Sequence, residues 1–409
     1  MGNATYHLLC HVPEGFEKIA MADLEEQLSS VTSLDIIQCI GEEGTGRVHA
    51  FAKSTADGQA LYAALISMSL PCSYDLMLVA GTLNLTREVY DDPMHGVLGG
   101  ALEKFTASLP WRDLIGPVSP EAASPTTFRA TFHKDQLSHH TKSADLAGHL
   151  GHAFGQLHPG WKVNLTKFDY NIVGMWSKHD SGSPLLAHAP ACSPPSSLPI
   201  LLVHVGLSIP IPDSKYRNRI HFGHTSLNTP IAACLVRLAD PQPGQIIFDM
   251  CCGTGTIPIE GAAQYPWTLW LGGEVKVKTL SEKAKENAAH ANVLGSVELF
   301  LCDGRKMNLR DGCIDMVLSG RSRRECNWPW GLRENSFVSI EKLYPKFFKQ
   351  MHRVLRPGGR AIIVSQATRL LKRVMGYSWM NNLFVLERQF TIRIGGLPVS
   401  VYMIVKKGV

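Results

Sequence analysis

The sequence predicts an α/β protein, with an open parallel sheet and crossover helices in its C-terminal half and two smaller α+β units before it. Three observations support this fold class. Apolar, strand-like stretches alternate regularly with helix-like ones from residue 213 onward. A glycine-rich turn follows the first of these strands, and the first hundred residues show a β-α-β-β-α-β order. With 409 residues, the chain is long enough for two or three domains.

The two N-terminal units are predicted at residues 1–112 and 113–212. The first is ferredoxin-like, with the strands YHLLCHV, LDIIQCI, GRVHAFA and YDLMLVAGTL and the helices KIAMADLEEQLSSV and GQALYAALISM. The second has the strand TTFRATFHK, the helix KSADLAGHLGHAFGQL, and the strands KVNLTKFDYNIVGMW and PILLVHVGLSI. Residues 177–197 are rich in Pro, Ser and Gly, which predicts an exposed loop.

The third unit, residues 213–409, has the strand pattern of a Rossmann-like sheet. Helical stretches separate its five apolar strands, QIIFDM, TLWLGGE, VELFLC, IDMVLS and RAIIVSQ. A final pair, FVLERQFTIRI and VSVYMIVK, has the pattern of a hairpin. Since open α/β sheets bind ligands at the carboxyl ends of their strands, we expect the functional site at that edge.

The composition excludes several classes of protein. Ten scattered cysteines without CxxC pairs predict reduced thiols of an intracellular protein, with neither a disulfide framework nor a metal site. The longest apolar run, residues 198–212, is too short to span a bilayer, and the N-terminus lacks the pattern of a signal peptide. We therefore expect a cytoplasmic protein with no membrane contact. The net charge of +5 suits an anionic partner.

The strongest motif is the stretch IIFDMCCGTGTIPIEGA at residues 246–262. A buried strand ends in Asp249, Gly253 and Gly255 follow, and a helix with Pro258 in its first turn comes next. The glycines let the backbone bend tightly against a ligand, and the helix N-terminus offers unpaired N–H groups. This arrangement predicts a site for a nucleotide-like ligand.

Two cofactors compete for this site. A dinucleotide requires a third glycine for helix packing, and Pro258 stands in its place. S-adenosyl-L-methionine carries no phosphate, and Asp249 can hold its amino-acid end. Glu274, at the end of the second strand, is placed to bind the ribose hydroxyls, and Asp303, after the third, to accept from the adenine amine. The alternative, that Glu274 and Asp303 are surface-loop carboxylates, explains their positions at strand ends less well.

The fourth strand of such a sheet should lead to the group that binds the methyl acceptor. Asn327, Trp328, Pro329 and Trp330 form a tetrapeptide suited to an exocyclic amine. The side-chain oxygen of Asn327 and the carbonyl of Trp328 can accept its hydrogens, Pro329 fixes the turn, and Trp330 offers a stacking surface. The alternative is an ordinary Trp-Pro turn, because residues 321–325 intervene between the strand and the tetrapeptide.

With these motifs, the chain resembles the THUMP-domain methyltransferases that form N2-methylguanosine in tRNA. The stretch PEGFEKIAMADLEEQL resembles the family's N-terminal opening, and FRATF with WKVNLTKFDYNIV resembles its THUMP domain. RIHFGHTSLNTPIAACLVRLADPQPGQIIFDMCCGTGTIPIEGA, LYPKFFKQMHRVLRPGGRAIIVSQ and IGGLPVSVY resemble its catalytic domain. The family's acceptor motif directly follows the fourth strand, whereas here GRSRREC lies before Asn327.

The resemblance implies the remaining expectations. Thr225, Ser226 and Leu227 would line the cofactor pocket, together with Cys251 of the glycine turn. The THUMP domain would hold the acceptor stem and 3′ end of tRNA, with four candidate phosphate contacts: Arg129, Lys134, Lys142 and Lys162. The family also implies a small zinc-containing activator subunit, shared by several methyltransferases, and guanosine 6 of the acceptor stem as the target.

Two alternatives to this function stay open at the level of sequence. If residues 320–326 displace Asn327, the protein is a catalytically impaired RNA-binding protein or isoform. The Asn-x-Pro-aromatic pattern also serves the methylation of other amines, such as a protein glutamine or an adenine.

Overall fold

The computed structural model describes residues 4–91, 96–115, 125–134, 139–188, 200–211, 213, 215–223, 226–320 and 337–408. These residues form two sheets. With the strands numbered β1 to β15 along the chain, the order in the first sheet is β2-β3-β1-β4-β8-β7-β5-β6. The order in the second sheet is β11-β10-β9-β12-β13-β15-β14.

The first part of the chain has the predicted β-α-β-β-α-β order. Its elements are β1 (Ala4–His11), α1 (Glu17–Ser29), β2 (Leu34–Glu42), β3 (Arg47–Ser54), α2 (Gly58–Ile66) and β4 (Asp75–Leu85). The strands pair antiparallel in the order β2-β3-β1-β4. Asp57 caps the N-terminus of α2, where its carboxylate accepts from the backbone N–H of Ala60 at 2.8 Å. The ferredoxin-like arrangement is thus confirmed.

The second part of the chain continues the same sheet. Its elements are α3 (Arg87–Tyr90), α4 (Gly96–Ser108), α5 (Trp111–Ile115), β5 (Thr127–His133), α6 (Ser143–Leu157), β6 (Lys162–Val163), β7 (Tyr170–His179), a 3-10 turn (Pro184–Ala187) and β8 (Ile200–Ile209). β8 pairs antiparallel with β4, and Gly206 allows this approach, because a Cβ there would lie 2.2 Å from the carbonyl oxygen of Leu78. The two predicted units therefore share one sheet, and their boundary at residue 112 stays a prediction.

Two details of this part were predicted incorrectly. The expected single strand at residues 162–176 is two strands, because the side chain of Asn164 accepts from the backbone N–H groups of Thr166 and Lys167 and forms a turn. The expected exposed loop at residues 177–197 begins after His179, which belongs to β7. His179 is buried and lies 3.1 Å from the Glu42 carboxylate. A polar residue at this position therefore belongs to a buried strand and not to an exposed loop.

The C-terminal half contains the predicted Rossmann-like sheet. Its strands are β9 (Ile246–Asp249), β10 (Leu269–Glu274), β11 (Val297–Leu301), β12 (Ile314–Gly320), β13 (Leu355–Ser365), β14 (Phe384–Ile394) and β15 (Leu397–Lys406). β9 to β13 pair in parallel, and β14 and β15 form the predicted antiparallel hairpin. All seven predicted strands are confirmed.

Helices cover both faces of this sheet. They are α7 (Thr229–Ala239), α8 (Thr256–Gln264), α9 (Val277–Thr279), a π-helical turn (Leu280–Ala284), α10 (Lys285–His290), α11 (Phe337–Val354), α12 (Thr368–Met375) and α13 (Ser378–Leu383). Neighbouring residues of β9 point to opposite faces: Ile247 packs in the core under α7 and α8, and Phe248 in the core under α11. This alternation explains why β9 is apolar throughout.

The two sheets are joined by contacts between α1 and the C-terminal half. Arg237 of α7 lies 3.2 Å from the buried carboxylate of Asp23 in α1. Gly15 packs on β14, where a Cβ would lie 2.6 Å from the carbonyl oxygen of Thr391. No helix among the described residues is long and apolar enough to cross a membrane.

Candidate cofactor-binding site

The carboxyl end of β9 lies where the strand order of the second sheet reverses. β10 and β11 lie on one side of β9, and β12 and β13 lie on the other. The connections therefore leave β9 and β12 in opposite directions, which opens a crevice at this edge. The predicted carboxylates Asp249 of β9, Glu274 of β10 and Asp303 after β11 all lie at the carboxyl ends of their strands.

The glycine turn after β9 has the conformation that its sequence predicts. Gly253 and Gly255 have φ angles of +57° and +84°, in the left-handed region that favours glycine. The backbone N–H of Gly255 donates to the carbonyl of Cys252 at 2.9 Å, and α8 begins directly after it. The turn thus presents its backbone and the start of α8 to the crevice.

Asp249 is almost completely buried, with 1% of its surface exposed, and lines a pocket at this turn. One oxygen of its carboxylate accepts from the backbone N–H of Cys251 at 3.0 Å and from the Ser319 hydroxyl at 2.8 Å. Ser319 lies at the end of β12, and our sequence analysis did not identify it. These bonds hold the carboxylate in one orientation at the base of the pocket.

The pocket contains some of the predicted cofactor residues and lacks others. Five of the predicted residues line it: Asp249, Cys251, Gly253, Ser226 and Leu227. Gly255, Glu274 and Asp303 are not among its lining residues, and Thr225 lies outside the described part of the chain. Lys276, Thr279, Lys283 and Gly320 also line the pocket, and none of them was predicted.

Glu274 and Asp303 stand at the expected strand ends. Glu274 ends β10, is buried, and accepts from the backbone N–H of Lys276 at 3.0 Å. Asp303 follows β11, and both of its carboxylate oxygens accept from the guanidinium of Arg305, at 2.6–3.0 Å. These bonds lower the pKa of Asp303, so it stays an anionic acceptor. Their roles toward a cofactor stay predictions.

Gly223, Ser226 and Leu227, from the segment before α7, form one wall of the pocket. Arg219 donates to the carbonyl of Leu227 at 2.8 Å, and the hydroxyls of Ser226 and Thr254 lie 2.9 Å apart. Asn287 of α10 accepts from the backbone N–H groups of Ile220 and His221. It also donates to the carbonyls of His221 and Thr254, at 2.7 and 3.0 Å. Asn287 therefore ties this wall to the glycine turn.

Asn287→Ala should destabilise the fold and weaken the pocket. Asn287 is fully buried, and its loss leaves two N–H groups and two carbonyls without this partner, which should cost about 2–4 kcal/mol of unfolding free energy. Urea unfolding measures this change. Lys285→Ala, at an exposed position in the same helix, should change the free energy by less than about 0.5 kcal/mol. Equal stability of the two variants would show that the hydrogen bonds of Asn287 do not stabilise the fold.

The predicted acceptor tetrapeptide lies outside the described residues. Residues 321–336, which include Asn327, Trp328, Pro329 and Trp330, separate β12 from α11. The last residue of β12, Gly320, lines the pocket, and a Cβ there would lie 2.6 Å from the Cβ of Val364. The chain therefore enters this segment directly at the pocket.

The four basic residues proposed for RNA differ in their surroundings. Arg129 lies over the ring of Phe168, 4.0 Å from its centroid. The ammonium of Lys134 donates to two backbone carbonyls at 2.7 and 2.8 Å, which indicates a structural role. Lys142 and Lys162 are exposed, so an anionic partner can reach both.

Comparison with known proteins supports the interpretation of the C-terminal half. Residues 216–387 match the RMKL-like methyltransferase domain. This match implies S-adenosyl-L-methionine as the cofactor, as the sequence predicted in preference to a dinucleotide. No group of three or more His, Cys, Asp or Glu side chains among the described residues could hold a metal ion.

Several similar proteins are named as tRNA methyltransferases. The chain is 28% identical to the tRNA (guanine(6)-N(2))-methyltransferase THUMP3 of Bos taurus, over 70% of this chain and 53% of that protein. It is 26% identical to a tRNA (guanine(6)-N2)-methyltransferase of Thermus thermophilus, over 83% of this chain and 86% of that protein. The resemblance found in the sequence is thus confirmed. The chain spans about half the length of the mammalian relatives it matches.

A solved structure shares the whole fold. The crystal structure of TrmN from Thermus thermophilus has a TM-score of 0.68, at 22% identity, and the match covers 98% of this chain and 99% of that chain. That protein therefore also combines a Rossmann-like methyltransferase sheet with an N-terminal α+β part in a single chain.

Proposed function

We propose that this protein is an S-adenosylmethionine-dependent tRNA methyltransferase that forms N2-methylguanosine at position 6 of the acceptor stem. The observation that carries the proposal is the buried carboxylate of Asp249, held beside the glycine turn at the carboxyl edge of a methyltransferase sheet. The target nucleotide rests on the names of the relatives, which specify guanine 6 of tRNA.

The residues of the pocket fit the cofactor. Asp249 offers an anionic acceptor for the amino group, and the turn at Gly253 leaves room for the backbone to approach the ligand. Glu274 would accept from the ribose hydroxyls and Asp303 from the adenine amine, each at the end of its strand. The cofactor supplies an electrophilic methyl group on a sulfonium. The carboxylates bind and orient it, and none of them takes part in the chemical step.

The acceptor amine is assigned to Asn327, Trp328, Pro329 and Trp330. The amide oxygen of Asn327 and the carbonyl of Trp328 would accept the two hydrogens of the amine, so its lone pair faces the methyl group. The guanine must leave the helical stack, which costs a few kcal/mol, and stacking on Trp330 would offset part of this. The amine loses its proton after attack, so no strong general base is required.

The N-terminal sheet is assigned to RNA binding. We assign its second half, residues 113–212, to a THUMP domain that holds the acceptor stem and 3′ end of tRNA. The net charge of +5 and the exposed Lys142 and Lys162 support this assignment. A cytoplasmic location and a small zinc-containing activator subunit complete the proposal.

The experiment that tests this function compares acceptors. The full chain is incubated with S-adenosylmethionine labelled in its methyl group and with unmodified tRNA, DNA or a glutamine-containing protein. Incorporation into tRNA alone is expected. Incorporation into DNA or protein would favour methylation of another amine, and binding of cofactor and tRNA without incorporation would favour the catalytically impaired RNA-binding protein.

A further inference from the structure

Two exposed aromatic side chains lie on the segment before α7 that contributes Gly223 to the cofactor pocket. The rings of Tyr216 and Phe222 meet edge to face, with centroids 5.7 Å apart and an interplanar angle of 80°. Tyr216 is 54% exposed and Phe222 38% exposed. Aromatic rings usually bury most of their surface, so an exposed pair offers a surface for a flat ligand. We call Tyr216 and Phe222 the aromatic platform.

The backbone around the aromatic platform is held rigidly. Arg219 donates to the carbonyl of Leu227, and Asn287 pairs with the backbone of Ile220 and His221. Gly223, the residue after Phe222, lines the cofactor pocket. The platform therefore stands on a fixed backbone next to the cofactor pocket, so the protein loses little backbone entropy when a ligand binds there.

A lysine lies against the aromatic platform, and more lysines lie on a neighbouring segment. The ammonium of Lys215 lies 4.6 Å from the centroid of Phe222 and 5.4 Å from that of Tyr216. The segment after β10 contacts this region, because the Glu286 carboxylate pairs with His221. That segment carries four more lysines: Lys276, Lys278, Lys283 and Lys285. The acidic groups of these segments are fewer: Asp213, Glu282 and Glu286. An anionic polymer with flat side groups fits this combination of charge and rings.

We propose that the aromatic platform stacks an unpaired base of the RNA substrate, while Lys215 contacts a backbone phosphate. The inference rests on the proposed function and adds an RNA contact beside the cofactor pocket. A nucleotide offers both a base that Tyr216 can stack on and a phosphate within reach of the adjacent ammonium of Lys215.

The test measures the binding of fluorescently labelled, unmodified tRNA to the full chain. Tyr216→Ala should weaken the affinity for tRNA roughly 5- to 100-fold, the range found when one stacked base loses its aromatic partner. Tyr216→Phe keeps the ring and should bind as the wild type does. Lys215→Ala should weaken binding at low salt and reduce the slope of log Kd against log salt by about 0.7–0.9.

A matched control is available at the opposite edge of the sheet. Trp267 is also 54% exposed, but it precedes β10, far from the strand ends that form the pocket. Trp267→Ala should leave tRNA affinity unchanged. Cofactor affinity, measured by calorimetry with S-adenosylmethionine, should stay at the wild-type value in all four variants.

Each contrary result has a distinct meaning. If Tyr216→Ala binds tRNA as tightly as the wild type, the platform inference is wrong and the patch serves another partner. If the variant loses cofactor affinity as well, Tyr216 supports the pocket and does not stack on RNA. If the wild-type protein itself does not bind tRNA, the proposed function fails and the platform inference fails with it.

Discussion

Asp249→Ala is expected to weaken the binding of S-adenosylmethionine by about 100- to 1,000-fold. The carboxylate is 1% exposed and already held by Cys251 and Ser319, so it would meet the cofactor's ammonium away from water, where the pairing is strongest. Its removal would leave that ammonium with no anionic partner at the base of the pocket. Isothermal titration calorimetry measures the effect directly.

Two further variants separate charge from structure. Asp249→Asn keeps an acceptor for the Ser319 hydroxyl but removes the charge, and we expect cofactor affinity between that of wild type and alanine variant. Asp315→Ala removes a carboxylate at the other end of β9, where it accepts from the backbone N–H of Ile246 at 2.7 Å. It should lower stability and leave affinity unchanged. If Asp249→Ala binds the cofactor with wild-type affinity, Asp249 is not part of the binding site.

Asn327→Ala is expected to abolish methyl transfer while cofactor affinity stays near the wild-type value. The amide oxygen would accept one hydrogen of the reacting amine, and the loss of one such group lowers kcat by about 100- to 1,000-fold. Among the described residues, the cofactor pocket is lined by the ends of β9 and β12, the glycine turn, the start of α8, the segment after β10 and the segment before α7. Single-turnover methyl transfer, at saturating cofactor and tRNA, measures the chemical step.

The neighbouring residues provide the controls for Asn327. Asn327→Asp retains an oxygen acceptor on a side chain of the same length, so substantial activity should remain. Asn335→Ala changes an asparagine of the same segment outside the tetrapeptide and should leave the rate unchanged. If Asn327→Ala transfers methyl groups as fast as the wild type, the tetrapeptide does not bind the acceptor amine.

The sequence predicted the features that depend on local pattern. All seven strands of the Rossmann-like sheet follow from apolar stretches between helical ones, and the glycine turn follows from Gly253 and Gly255 after a buried strand. Asp249 was found because the strand and the turn fix its place. These inferences need only the residues within a few positions of one another.

The features that sequence reasoning missed depend on distant contacts. Ser319 reaches Asp249 only because β12 lies beside β9, and Asn287 joins two segments far from it in the chain. The pairing of β4 with β8, which merges the two N-terminal units into one sheet, is equally non-local. A polar side chain such as Asn287 gives no local signal, since most asparagines lie on the surface.

The most direct test of the proposed function identifies the methylated nucleoside. The protein is co-expressed with the proposed activator subunit and incubated with labelled S-adenosylmethionine and unmodified tRNA. The tRNA is then digested and analysed by mass spectrometry. N2-methylguanosine, absent with Asn327→Ala, is the predicted result. A label on any other nucleoside, or binding of cofactor and tRNA with no methylated nucleoside, would contradict it.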